Sequence, residues 1–161
     1  MKSNNQDQGK KKVKEVKIFT IPFSLNGNQE EIIMTSNSPS KEKLIKQALY
    51  FHSQGKILEA AKYYQIFINQ GFIDHRIFSN YGIILKDNGK LKEAEVYTRK
   101  AIEIQPNFAD AYNNLGTILM NLDNYKEAEI HTRKAIEIQP GFANAHFNLG
   151  TILMNLDNLK E

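Results

Sequence analysis

The chain repeats itself every 34 residues. Ala-Ile-Glu-Ile-Gln-Pro occupies 101–106 and returns at 135–140, and the eleven residues Asn-Leu-Gly-Thr-Ile-Leu-Met-Asn-Leu-Asp-Asn occupy 114–124 and return at 148–158. A unit of roughly 20–50 residues is a small supersecondary element that cannot bury its apolar face alone, so neighbouring units must stack into a solenoid. Such a chain presents a long surface, which favours binding over chemistry as its task.

Within each unit the apolar period is helical. Leu44, Ala48 and Phe51 follow i, i+4, i+7; Gly55 interrupts them; Ile57, Ala60, Ala61 and Tyr64 resume the pattern. The same helix–turn–helix recurs from 75 and from 109, with breaks at Asp87–Lys90 and Asp123–Asn124. Pro106 and Pro140 close the second helices, because proline lacks the N–H and disfavours a helical residue before it. The repeats therefore run 41–74, 75–108 and 109–142, with a partial fourth at 143–161, which makes 41–161 one array.

The N-terminal part differs. Residues 1–12 are polar and are expected to be a disordered basic tail. Phe19, Ile21, Phe23 and Leu25 alternate with less apolar neighbours, Asn26-Gly27 is a hairpin-turn dipeptide, and Ile32-Ile33-Met34 can return, so 13–36 reads as a β-hairpin-like head. A lone hairpin is marginal in water, so it is expected to dock on the first repeat. Residues 37–40 form the linker, with Pro39 suited to open a helix.

Charge is uneven along the chain. The net charge is +3, but residues 1–17 carry six Lys against Asp7 and Glu15, a balance of +4, so the rest sums to −1. The basic character belongs to the tail and not to the array, and neither a nucleic-acid nor a membrane partner is expected. There is no Cys, which excludes a disulfide framework and thiolate metal sites and fits a reducing, cytoplasmic setting. No apolar run approaches the ~20 residues of a membrane helix.

The array resembles the tetratricopeptide repeat (TPR) family. Tyr112, Leu115, Gly116, Leu119, Ala128 and Pro140 match the family pattern, as do Phe78, Tyr81, Gly82, Leu85, Ala94 and Pro106; the first repeat matches more loosely, with Phe72 where the prolines stand. The resemblance implies a mainly α fold, a right-handed superhelix of helix-turn-helix repeats. Thr98 and Thr132 stand where the family has an aromatic residue. That departure suggests thinner packing between repeats.

No catalytic or metal constellation is apparent, no cofactor is implied, and the chain is not expected to be an enzyme. His52, His75, His131 and His146 are dispersed, with His131 and His146 at the repeat positions of Tyr97 and Tyr112. The feature above background is a ladder of amides: Asn80, Asn114 and Asn148, each two residues before the small Gly, at 34-residue spacing. On the same helical face lie Ile83 and Asp87, Thr117 and Asn121, and Thr151 and Asn155, with Asn113 flanking. Asparagine carries donors and an acceptor, so it can hold an extended peptide backbone without reading its sequence. The other reading is that these residues cap or brace neighbouring helices. In TPR proteins this face lines the concave groove. The ladder is similar to that of the TPR region of protein O-GlcNAc transferases, and unlike the carboxylate clamp of chaperone-binding TPR domains, since Ile45, Leu49, Asp110 and Asn114 stand in corresponding places.

Two functions follow as expectations: a scaffold that binds an extended peptide or partner protein in the groove, or the substrate-recruiting N-terminal region of a larger transferase, of sulfotransferase or glycosyltransferase type, as in bacterial TPR-transferases. Residues 143–156 copy interior sequence, and only a first helix of the fourth repeat is present. Leu149, Ile152, Leu153 and Leu156 are expected to be partly exposed there, with self-association through that helix as a consequence.

Overall fold

The computed structural model describes residues 39–158, and within them the backbone forms α1 (Lys41–Ser53), α2 (Ile57–Asn69), α3 (His75–Asp87), α4 (Leu91–Ile104), α5 (Ala109–Asn121), α6 (Tyr125–Ile138) and α7 (Ala143–Asn158). The tail at 1–12, the hairpin-like head at 13–36 with its docking, and residues 37 and 38 of the linker lie outside the described residues.

The helices alternate in role. α1, α3 and α5 are first helices, each packed against the second helix that follows it (α2, α4 and α6), and α7 is a first helix that packs on α5 and α6. Consecutive first helices also pack on one another, whereas the backbones of consecutive second helices stay apart. The stack is therefore tighter along the first-helix side.

Local chemistry sets the ends of these helices. Ser40 accepts the Lys43 N–H at 3.3 Å to open α1, and Asp74 accepts those of Arg76 and Ile77 at 3.0 and 3.4 Å to open α3. These side chains satisfy amides that the first turn leaves without intrahelical partners. The turn inside each repeat passes through a left-handed residue: Gly55 at φ 69°, Gly89 at φ 75° and Asp123 at φ 58°. Glycine takes this conformation freely, while an L side chain costs ~1–2 kcal/mol there. Asp123 is held by the Tyr125 hydroxyl, which donates to its Oδ1 at 3.0 Å.

The seam between the two helices of one repeat is close at the threonine positions. Thr98 and Thr132 are completely buried, each seated over a glycine of the partner helix. A Cβ at Gly82 would lie 2.2 Å from Thr98 Oγ1 and 3.2 Å from the Ala94 carbonyl oxygen; at Gly116 it would lie 2.1 Å from Thr132 Oγ1 and 3.4 Å from the Ala128 carbonyl oxygen. A small β-branched residue in the aromatic position thus brings the two backbones closer instead of loosening them. Among the described residues neither buried hydroxyl has a hydrogen-bond partner, which marks shape as the reason for threonine here. Phe72, where later repeats have proline, packs on Phe67 with ring centroids 5.5 Å apart.

The last helix departs from expectation in one residue. Ile152 is fully buried, because it packs into the cluster of Leu115, Leu119 and Ala128 in the preceding repeat. Leu149, Leu153 and Leu156 are half-buried, and the exposed apolar side chains of α7 are instead Phe147 (76 %) and Met154 (69 %).

Candidate functional site

The ladder asparagines lie on successive first helices, and each turns its amide nitrogen toward the preceding repeat. Asn114 Nδ2 donates to Ser79 Oγ at 3.0 Å, and Asn148 Nδ2 donates to Asn113 Oδ1 at 2.8 Å. Both bonds span 35 residues, from one first helix to the one before it. The equivalent of Ser79 and Asn113 in the first repeat is Ile45, which has no acceptor, so Asn80 Nδ2 reaches instead to the Tyr64 hydroxyl of α2 at 3.3 Å. Asn113 itself is buried at 7 % exposure and serves as a brace below the surface. Sequence spacing singled out the asparagines but missed Ser79 and Tyr64 as their partners. The polar residues one position before Asn80 and Asn114 were the available signal for Ser79 and Asn113; nothing comparable marked Tyr64.

The rest of the expected face is mixed. Asp87 and Asn121 are exposed; Ile83, Thr117, Thr151 and Asn155 are half-buried. The Thr117 hydroxyl donates to the Asn114 carbonyl oxygen at 2.8 Å, the Thr151 hydroxyl to that of Phe147 at 3.3 Å, and Asn155 Nδ2 to that of Thr151 at 2.8 Å. Cations near this face are engaged: Arg76 pairs with its capping Asp74 at 2.8 Å, and Lys86 with Asp87 at 3.1 Å. Lys46, at the ladder position of the first repeat, is exposed.

Behind Asn80 sits a polar cluster at the junction of the first two repeats. The Tyr64 ring is fully buried, and its hydroxyl lies 2.7 Å from His52 Nδ1 while accepting from Asn80. Burial pushes the Tyr64 phenol up to about 12 and the His52 imidazole below its ordinary value. The neutral imidazole therefore accepts from the phenol. Tyr81 packs edge-on against Tyr64 and donates its hydroxyl to Gln65 Oε1.

On the second helices, Arg99 bridges two repeats, bonding Glu95 at 2.9 Å on its own helix and Glu127 at 2.6 Å on α6. His131 stands 3.6 Å from Glu127 and is stacked on Tyr112. Burial and the Arg99 guanidinium hold its imidazole below the ordinary value despite Glu127. A depression of about 500 Å³ beside it is lined by Tyr112, Ile130, His131, Arg133, Lys134 and Glu137. Its two cations are paired, Arg133 with Glu129 at 2.8 Å and Lys134 with Glu137 at 2.6 Å. Among the described residues no group of three His, Asp or Glu converges as metal ligands would, and no helix is long and apolar enough to cross a membrane.

Comparison with known proteins follows the same lines. Tetratricopeptide repeat family profiles match residues 75–108 and 109–142. No curated protein sequence matches the chain. Among solved structures, the chain is similar to the Arabidopsis OM64 TPR domain, at 20% identity and TM-score 0.65, covering 73% of this chain and 97% of that one. It is also similar to the first TPR of Spaghetti (RPAP3) bound to the HSP90 peptide SRMEEVD, at 21% identity and TM-score 0.67, covering 74% and 95%. A Thermobaculum terrenum O-GlcNAc transferase mutant matches at 19% identity and TM-score 0.66, covering 75% of this chain but 23% of the other. At these identities the likeness concerns the fold. The 34-residue period, the paired helices with glycine at their crossing and the two profile matches together make residues 75–142 two tetratricopeptide repeats.

Proposed function

We propose that the first-helix face of the array is a groove for an extended polypeptide segment of a partner protein, held by its backbone. The observation that carries this reading is the orientation of the ladder. Asn80, Asn114 and Asn148 each anchor Nδ2 on the preceding repeat, and among the described residues no donor reaches their Oδ1 atoms. The anchoring bond fixes each acceptor without occupying it, so a ligand N–H meets a preset oxygen at low entropic cost.

The spacing selects the ligand's conformation. Packed helices stand about 8–10 Å apart, and three residues of polyproline II rise about 9.3 Å and complete one turn. Such a segment presents every third N–H on one side, in step with the ladder. A β-strand alternates its faces with a period of two and loses that register. Toward an acidic ligand the face offers Lys46 in the first repeat, while further along Asp87 and Asp110 are exposed and Arg76 and Lys86 already have carboxylate partners.

The test is a selection of displayed peptides of about a dozen residues on the purified chain, followed by fluorescence anisotropy. Replacing every third ligand N–H by N-methyl should weaken binding at least tenfold, and Asn121→Ala on this face should weaken it as well. Val96→Ala and Ile130→Ala, on exposed second-helix sites, should leave it unchanged. Binding that tolerates N-methylation but is lost with Val96→Ala and Ile130→Ala would place the ligand elsewhere.

A further inference from the structure

We infer that the first rung of the ladder reverses its polarity when His52 takes up a proton: the Asn80 amide turns over, and the groove meets an N–H donor there in place of a carbonyl oxygen. What this means for a ligand rests on the groove reading above; the reversal itself does not.

Three side chains form one hydrogen-bonded chain from α1 through α2 to α3. The Tyr64 hydroxyl lies 2.7 Å from His52 Nδ1 and accepts from Asn80 Nδ2 at 3.3 Å. A hydroxyl carries one proton, so the direction of the whole chain is set at its imidazole end. With Nδ1 bare, Tyr64 donates to it, Asn80 donates to Tyr64, and Asn80 Oδ1 is left without a donor among the described residues. With Nδ1 protonated, His52 becomes the donor and the Tyr64 proton must point elsewhere. Tyr64 is fully buried, and an unpartnered donor in such a place is costly. Gln65 Oε1 already accepts from Tyr81. Asn80 can accept after a half-turn of its terminal torsion, which exchanges Oδ1 and Nδ2 and moves nothing else.

The relay belongs to this repeat junction alone among the described residues. Lys86 and Met120 stand at the repeat position of His52, and Thr98 and Thr132 at that of Tyr64. Asn114 and Asn148 are anchored on Ser79 and Asn113, neither of which titrates. The groups around His52 leave it as the one that changes charge. From α2 it meets Tyr64; from α3, Asn80 lies across the Tyr64 hydroxyl and Tyr81 packs edge-on against the Tyr64 ring. Burial raises both phenols, so they stay protonated. Lys56, in the turn after α1, stands over the Phe51 ring at 5.9 Å, and Lys86 and Asp87 on α3 pair with each other at 3.1 Å. Burial lowers the imidazole, so His52 is neutral at pH 7.5 and gains its proton only below the ordinary histidine value.

The experiment is nuclear magnetic resonance on the isotopically labelled 161-residue chain. At pH 7.5 the Asn80 Hδ2 protons should show a nuclear Overhauser contact to the Tyr64 ring, and that contact should fall away with the midpoint of the His52 titration. His52→Leu removes the acceptor without adding charge, so it should show the reversed amide already at pH 7.5, with solvent exchange of Hδ2 at least tenfold faster than in the parent. This variant decides the matter even where acid unfolds the chain first. In Tyr64→Phe the Asn80 amide should ignore pH. A labelled dodecapeptide selected on the chain at pH 7.5 should bind His52→Leu at least tenfold more weakly, and Asn80→Ala should abolish that dependence on residue 52. Hδ2 signals that keep the Tyr64 contact in His52→Leu and throughout the His52 titration would overturn the reversal. A reversal seen by resonance, with peptide affinity indifferent to His52→Leu, would uphold it and count against the groove reading instead.

Discussion

Alanine at the three first-helix glycines, Gly82, Gly116 and Gly150, is one substitution at one repeat position, and its effect should change sign along the chain. In a helix interior alanine is favoured over glycine by about 1 kcal/mol, which all three sites would gain. At Gly82 and Gly116 the new methyl would lie 2.2 and 2.1 Å from a threonine Oγ1. Those threonines are fully buried and β-branched, so the hydroxyl has little freedom to turn aside and the helices must part. Overpacking of this kind costs about 1–3 kcal/mol, and overlap this deep belongs at the upper end, leaving a net loss of about 2 kcal/mol. At Gly150 no described residue lies within 4 Å of the added methyl, so the gain of about 1 kcal/mol stands alone. The difference between Gly116→Ala and Gly150→Ala should therefore be about 3 kcal/mol, read from urea midpoints at constant m-value. Thr132→Ala placed behind Gly116→Ala should recover most of the loss, giving a coupling above about 1 kcal/mol in the double-mutant cycle. Equal shifts at Gly116 and Gly150, or no coupling with Thr132, would refute the steric account.

Other outcomes follow from the same contacts. Asn114→Ala should lower stability by about 1–2 kcal/mol, because it strands the buried Ser79 hydroxyl, whereas Asn121→Ala should stay within about ±0.5 kcal/mol; thermal unfolding of the two variants separates bracing from ligand contact. Stability should fall as pH drops below about 6.5, since His52 and His131 both have depressed pKa values and the unfolded chain takes up their protons first; urea midpoints between pH 7.5 and 5 check this, and His52→Gln should flatten the slope. Asp123→Gly should raise stability by up to about 1 kcal/mol by removing an L residue from φ 58°, while Gly89→Ala, at φ 75°, should lower it by a similar amount.

Much of the architecture was legible in the residues. The 34-residue period, the apolar spacing and the closing prolines set the helix pairs, because each element's pattern agrees with the stack it joins. The asparagine ladder was legible as a common face, but its bonding was not. Whether an amide braces or waits for a ligand depends on what stands 35 residues away, and only the packed structure brings Ser79 and Asn113 within reach. The closeness of the threonine seam within each repeat was not legible for a related reason: a small residue reads as a gap until its own repeat's other helix is seen to move in over glycine.

The duplicated segment shows the limit most directly. Asn114–Asn124 and Asn148–Asn158 have one sequence, yet α5 stops at Asn121 and turns through Asp123, while α7 stays helical to Asn158. The sequence determined that both would be helices with the same buried isoleucine, Ile118 and Ile152, since that depends on local period and on the preceding repeat. Where the helix stops was decided by tertiary structure. α6 folded back against Gly116 makes the left-handed turn at Asp123 worth its strain, and at Gly150 no described residue offers that compensation.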